Sequence, residues 1–568
     1  MVKLDPKKLA ELCKRSTAML APWRETRANL AREVAGPLYG KPGAGQPQPL
    51  PLLFQAYRST VRQLVMQTPE ALIRPKSAGD GKAEFTGKLL AGAWNLMAKE
   101  INLGDSLRLA AVNALCGPAV VNVGVCKSPA APLSDPGGYL HDANQPFCDV
   151  VDLDNYVCDM EATVREAMRY EGHDWWGDRE ALSDSGLYDP DAITRLADMQ
   201  GNERGLADMT VGQQPADGRE YVRMRSLWLP AENLVVEMPG EPDQAGNEFL
   251  RVIEWDGPER GPYEMLGFYW VPGNLLPVAY LAVLKHLHDA ANKAARKQGR
   301  QADRQKDILL FDKSATEEAE TVKDSSDGEA VGVQNVDRYR QVSLGGTNPD
   351  GYRYLDAIQQ AFSKAAGNLD LRSGSEATSG TLGQDQMLMG QAMGDINDMR
   401  VQFAQFANRV GERLAWYLWY DQEKQPEVTT TTSDGGQPIR ARFDEAAREG
   451  DFLDFQFDID VYSMAPESPE TKYGKLVNWL AQIILPISPL AQQMGMTLDP
   501  SKIARLGAEY LHMPEVGDIY TATMPMQADP IQGQGQPGGQ QDNRTSSGQG
   551  NNGQAAQAPQ REPEALSA

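Results

Sequence analysis

Between Gly261 and Gly383 a basic helical stretch rises, an acidic insert rich in extended segments interrupts it, a second helical stretch returns, and a Gly/Ser loop follows. That order builds an out-and-back arm, which suits a protein assembled from copies packed side by side. In the first limb, Pro277–Lys306, Leu281, Leu284, Leu287 and Ala291 recur at spacings near three and four and share one helical face. From Lys293 onward the limb is nearly all polar. Lys285, Lys293, Arg296, Lys297, Arg300, Arg304 and Lys306 face only Asp289 and Asp303 in opposition. As one helix it would span ~45 Å at ~1.5 Å per residue. A polar helix of that length has little to bury and needs neighbours; a solvated surface helix is the plainer alternative.

The period then changes. Asp307–Phe311 reads as extended chain, Glu317–Asp327 is acidic, and Ser325, Ser326 and Gly328 signal a turn. Val331–Val342 alternates weakly and is rich in valine. Asn348, Pro349, Asp350 and Gly351 read as a breaker, after which Leu355, Ile358 and Phe362 restore helical spacing over Tyr352–Ala366. The stretch after Gly367, through Asn368–Gly380, has no apolar face.

Particular residues in this region resemble the start of the stem in portal (head-to-tail connector) proteins of tailed bacteriophages. They are Val271-Pro272-Gly273-Asn274, Pro277, Leu287-His288 with Asn292, and the Arg-Gln-Ala-Asp-Arg-Gln-Lys run at Arg300–Lys306. Glu376–Gln391 likewise resembles the family's tunnel loop and the start of the long helix after it, and the order of elements agrees from about Leu53 to Tyr520. The resemblance implies an α+β subunit of a cyclic ring, typically about twelve copies around a DNA channel. Its implied regions are a helix-and-sheet wing over 1–274, a first stem helix over 275–306, a β-rich clip over 307–350 and a second stem helix over 351–366. A tunnel loop over 367–382, a long bent helix with wing strands over 383–465 and crown helices over 466–520 follow. It also implies that Arg372, Ser373, Ser375 and Glu376 lie nearest the DNA, with Arg372 making transient phosphate contact. The basic limb (Lys293, Arg296, Lys297, Arg300, Arg304, Lys306) meets either phosphate in the channel or acidic partners outside it. The implied partners are further copies of the chain, double-stranded DNA in transit, the major capsid protein, the terminase motor and a tail adaptor, at the portal vertex of a virion assembled in the host cytoplasm.

The chain has 568 residues, with 55 Lys and Arg against 78 Asp and Glu, a formal charge of −23. A protein that grips DNA is usually basic. A conduit has the opposite need, because every neutralised phosphate adds affinity and makes the duplex stick. The acidity is therefore compatible with a channel. Five cysteines (Cys13, Cys116, Cys126, Cys148, Cys158) are scattered and lack CxxC spacing, which predicts reduced thiols. The longest apolar run, Leu275–Leu284, is too short to span a bilayer, so no membrane insertion is expected.

Elsewhere the spacing predicts helices over Lys7–Ala35, Leu52–Met66, Glu84–Asn102, Ser106–Leu115 (capped by Asp105) and Glu161–Tyr170. Extended chain is predicted over Gly117–Val125, Tyr221–Leu229, Leu234–Met238 and Phe249–Trp255. Gln384–Tyr420 is the longest helical segment, with Ile396, Met399, Phe403, Phe406, Val410, Leu414 and Tyr417 as a core face and a bend expected near Gly390–Gly394. Asp454–Tyr462 alternates strictly: Phe455, Phe457, Ile459 and Val461 point one way and the aspartates the other, as on a solvated strand face. Pro469 starts a further helix, Pro486 and Pro489 break that region, and the chain beyond Thr521 (521–568) has the composition of a disordered tail.

Enzyme chemistry is thin. There is no GxxxxGK[ST], HExxH or GxSxG; Gly79-Asp80-Gly81-Lys82 runs into Ala83, and the GxGxxG at Gly533–Gly538 has no strand before it. His286 and His288 fall on nearly opposite helix faces and cannot chelate one ion. The expectation is a structural protein with no cofactor and no metal. A shorter ring-forming head-tail adaptor and an enzyme with an unrecognised site are the alternatives.

Overall fold

Asp5 opens the first helix. Its carboxylate accepts from the Lys7 amide, and Pro6 takes the first helical position, where no amide donor is needed. In the computed structural model this helix, α1 (Pro6–Ala35), buries Leu9, Cys13, Leu20 and Leu30 along its length. The structure describes residues 5–36, 50–64, 68–77, 81–126, 144–196, 220–240, 248–346, 348–370, 393–420, 425–431, 438–448, 450–459, 473–474 and 477–493. The chain divides into two compact units, Met1–Pro466 and Glu467–Ala568. No helix of the described residues is long and apolar enough to cross a membrane.

The first unit mixes helix and strand. After α1 come α2 (Leu52–Leu64), β1 (Ala71–Pro75), α3 (Gly81–Glu100) and α4 (Leu103–Cys116). The strands β2 (Ala119–Cys126) and β3 (Gln145–Val151) pair antiparallel, and β9 (Tyr263–Leu266) joins the other edge of β2. A five-stranded antiparallel sheet is ordered β4 (Tyr156–Cys158), β5 (Glu171–Asp178), β6 (Tyr221–Leu229), β7 (Leu234–Pro239), β8 (Arg251–Glu254). Leu9 and Cys13 of α1 cluster with Val157, Leu227, Val236 and Met238 of this sheet. A separate cluster joins Trp175, Val222 and Met224 to Leu182 of α5 (Arg179–Asp184) and Ile193 of α6 (Pro190–Thr194).

The arm follows: α7 (Tyr280–Asp303), β10 (Lys306–Phe311), α8 (Thr316–Asp324), β11 (Tyr339–Leu344) and α9 (Pro349–Ala365). Then α10 (Gly394–Tyr420) runs through the largest core, with Ile396, Met399, Phe403, Phe406, Val410 and Leu414 all buried and Tyr417 packed at its margin. The hairpin β12 (Glu427–Thr431) and β13 (Pro438–Arg442) packs on α3, and β14 (Phe455–Ile459) pairs antiparallel with β1. Phe455, Phe457 and Ile459 are buried while Gln456 and Asp458 are exposed, the alternation expected of this strand.

A buried charge network ties α10 to the sheets. Arg413 donates to Glu264 of β9 at 2.6 Å and to the Gly261 and Tyr263 carbonyls, and Arg409 reaches Glu264 at 3.1 Å. Arg165 bridges Glu264 at 3.0 Å and Glu171 of β5 at 3.1 Å, and the Tyr156 hydroxyl donates to Glu171. Burial alone would raise the Glu264 carboxyl, but the guanidiniums of Arg413, Arg165 and Arg409 overcome it and hold it below its usual range. All five cysteines are buried and none forms a disulfide, and burial raises the thiol of Cys13 to about 12 and that of Cys116 to about 11.

Several sequence expectations need correction. Helix α4 begins at Leu103 behind Asn102, which sits in the left-handed region at φ 50°, so Asp105 lies in the first turn and is not the cap. Glu161–Tyr170 holds only a 3₁₀ turn at Arg165–Ala167, because Asp159 draws in the Arg169 and Glu161 amides and holds that segment as a loop. The insert is not purely extended: the acidic stretch is helical as α8, and of the valine-rich stretch only Tyr339–Val342 is strand, within β11. The Asn348–Gly351 breaker is the start of α9, with Asn348 accepting from the Asp350 amide and Pro349 in the first turn. The first limb stops at Asp303, so at ~1.5 Å per residue its 24 helical residues span about 36 Å. In the second unit a π turn (Leu480–Ile484) runs into α11 (Leu485–Gln493), which carries Pro486 and Pro489 without interruption. The irregular turn lies immediately before the prolines, where a helix re-pairs carbonyls that proline leaves without a donor. The expected bend at Gly390–Gly394, the helix from Pro469 and the tail beyond Thr521 lie wholly or mainly outside the described residues.

His173 of β5 supplies a pH test. Burial lowers its imidazole from 6.5 to about 4, against the opposing pull of Asp174, and its Nδ1 lies 2.8 Å from the Tyr263 hydroxyl. A histidine less basic in the folded than in the unfolded state leaves stability intact above the unfolded pKa and erodes it as pH falls. Unfolding midpoints in urea are expected to drop between about pH 6.5 and pH 4. Replacement of His173 by Gln should flatten that part of the profile.

Candidate functional site

The arm is a helix, a two-stranded ribbon with a short helix, and a returning helix. Strand β10 pairs antiparallel with β11 from Lys306↔Leu344 to Phe311↔Tyr339, and α7 packs along α9. The out-and-back path expected from the sequence is therefore formed within one chain. Its root is embedded. Leu281, Leu284 and Ala291 of α7 and Ile358 and Phe362 of α9 join the main core, and the Tyr280 hydroxyl donates to the Ala366 carbonyl.

Two polar residues interrupt the buried face of α7 at the root. The Asn292 amide donates to the Leu50 carbonyl and accepts from the Leu50 amide, both at 3.0 Å, so it mimics a strand partner and fixes the chain that enters α2. His288 is buried one turn earlier, beside Asn292 and 3.7 Å from Glu33 of α1. Glu33, His288 and Asp289 place donor atoms within 4.8 Å of one another. The Lys285 ammonium sits among them, 2.9 Å from Asp289 and 3.6 Å from Glu33, and pairs with both carboxylates. Burial lowers the His288 imidazole despite the acidic neighbours. This cluster is an anchoring node whose carboxylates already share the Lys285 ammonium, and a cation there would have to displace it. The sequence signal was present: His288 and Asn292 fall four apart on the face that carries Leu281 and Leu284, where apolar residues belong.

Beyond the root the arm has almost nothing to bury. Between Lys293 and Ala357 the only buried described residues are Gln298, Ala315 and Ala319. Large apolar side chains at the tip stay open to solvent: Leu310 at 51%, Phe311 at 41%, Val336 at 73% and Leu344 at 50%. A two-stranded ribbon in water is marginal by itself. Local polar bonds hold what order there is, as where the Tyr339 hydroxyl donates to Glu318 at 2.6 Å.

Of the basic residues singled out in the sequence, Lys293, Lys297, Arg300, Arg304 and Lys306 are exposed and Arg296 is half-buried. Lys293, Lys297, Arg300 and Arg304 follow spacings of four, three and four, which aligns them in one stripe on the face of α7 opposite Leu284 and Ala291. Arg372, Ser373, Ser375 and Glu376 lie outside the described residues. A groove of about 260 Å³ lined by Leu96, Met97, Leu418 and Pro426 lies away from the arm and offers one charged group, Glu100. No known protein family matches the chain, and no curated protein is detectably similar to it.

Replacing Asn292 by Ala removes both bonds to Leu50 and leaves that backbone amide and carbonyl short of partners at a partly buried site. The expected cost is about 1–3 kcal/mol, read as a lower urea midpoint.

Proposed function

We propose that this chain is the subunit of a phage portal, a closed ring at one capsid vertex through which the genome is packaged and ejected. In this reading the sheets and helices before the arm, together with α10 and the strands after it, form the wing. The helices α7 and α9 form the stem, residues 307–350 the clip, and residues 466–520 the crown. The observation that carries it is the arm's tip, whose apolar side chains are left in water by one chain and are covered once copies stand side by side. A head-to-tail contact between identical subunits closes into a ring when the rotation permits.

The chemistry is mechanical, and no bond is made or broken by the subunit. Cyclic symmetry turns one Arg372 per subunit into a belt of positive charge and one Glu376 into a belt of negative charge, with Ser373 and Ser375 giving the loop freedom to move. Such belts focus potential more than a single residue does, while the acidic whole keeps DNA from adhering. The clip meets the terminase motor during packaging and a tail adaptor afterwards, and the wing meets the major capsid protein. Assembly takes place in the host cytoplasm and the product resides in the virion.

Electron microscopy of the purified protein is expected to show annular particles with a central hole; monodisperse monomers at every concentration and salt would overturn the reading. Deletion of residues 371–380 should leave the annuli intact and abolish DNA packaging or retention. Loss of the ring itself would assign that loop to assembly instead.

A further inference from the structure

Two helices of the arm carry charge in the same register with opposite sign. On α7 and its C-cap, Lys297, Arg300 and Arg304 are spaced three and four apart and exposed. On α8, Glu317, Glu320 and Asp324 are also spaced three and four apart and exposed, while Ala319 and Ala315 are turned inward. Both triplets span eight residues, seven steps or about 10 Å at ~1.5 Å per residue. Within one chain they do not meet: none of Lys297, Arg300, Arg304, Glu317, Glu320 and Asp324 forms an ion pair with a described residue. The acidic helix is held in place for an encounter. It packs against β10, and Glu318, between the stripe residues, is fixed by Tyr339 and the Gln334 amide.

We infer that the basic stripe of α7 docks the acidic stripe of α8 from a second copy of this chain. The inference rests on the ring reading and deepens it: it says which surfaces meet and assigns the basic limb to a neighbour rather than to DNA. The contact is heterologous, basic face to acidic face, so every subunit offers one of each and the chain of contacts propagates until it closes. Matched spacing lets three ion pairs form together. A single exposed pair contributes only up to ~1 kcal/mol, so the stripe sets register and direction while the exposed Leu310, Phe311 and Leu344 supply apolar area beside it. Approach with the wrong neighbour, basic to basic or acidic to acidic, is repelled.

The test uses four full-length proteins: the unaltered chain, Lys297→Glu with Arg300→Glu, Glu317→Lys with Glu320→Arg, and all four substitutions together. Native mass spectrometry at low salt reads the assembled fraction, and filter binding with linear duplex DNA reads nucleic-acid contact. Each two-site reversal is expected to weaken self-association by about tenfold or more, since turning two attractive pairs repulsive shifts an interface by more than ~1.4 kcal/mol. The four-site protein should recover assembly, which a merely misfolded variant could not do. Rings from all four proteins alike, or failure of the four-site protein to recover, would overturn the docking while leaving the ring reading in place. Intact rings with lost DNA binding after reversal of the α7 pair would give the stripe to DNA and also overturn it. An unaltered chain that never self-associates would remove both readings.

Discussion

An arm without a core of its own is the constraint from which the rest follows. Residues 293–357 form two helix ends, a ribbon and a short helix, yet the described residues among them bury only one glutamine and two alanines. Burial stabilises by roughly 25 cal/mol per Å² of apolar surface removed from water, and ordering each residue of backbone costs ~1–2 kcal/mol. A projection that buries so little cannot offset that cost alone. It is held at its root by Leu284, Ile358 and Phe362, by the paired amide of Asn292, and by the tie from Tyr280 to Ala366. Among the described residues nothing covers Leu310, Phe311 and Leu344, which stay 51%, 41% and 50% exposed.

The body from which the arm projects is built in the opposite way. The network of Arg413, Arg409 and Arg165 with Glu264 and Glu171 joins α10, β9 and β5; Arg413 and the two carboxylates are buried, while Arg165 and Arg409 are partly exposed. Buried ion pairs of this kind add little net stability, but removing one partner leaves an uncompensated charge. They therefore fix where α10 sits more than how strongly it is held.

Much of this was legible in the sequence. The spacing of Ile396, Met399, Phe403 and Phe406 located the buried face of α10, and the alternation of Phe455, Phe457 and Ile459 located β14, because in both elements one side meets core and the other water. The two helices of the arm were legible for the same reason at their root, and the ribbon between them from the change of period. Strand β5 was not. Its sequence, EGHDWWGD, shows no alternation, because Glu171 and Asp174 are buried against partners outside the strand, Arg165 six residues before Glu171 and Arg225 on the neighbouring strand β6. Asn348–Gly351 misled because the residues that end one element are also those that cap the next. At the candidate site the basic stripe was visible as composition, but the matching face of α8 was not. The acidic stretch declared its charge and hid its helix behind the turn residues that follow it.

The claim that the tip depends on neighbours is tested most directly by amide hydrogen exchange across residues 306–346, in the monomer and in the assembled protein. The account predicts rapid exchange of β10, α8 and β11 in the monomer and marked protection of the same amides on assembly, with α10 slow in both. Equal protection of the tip in a strictly monomeric sample would contradict it.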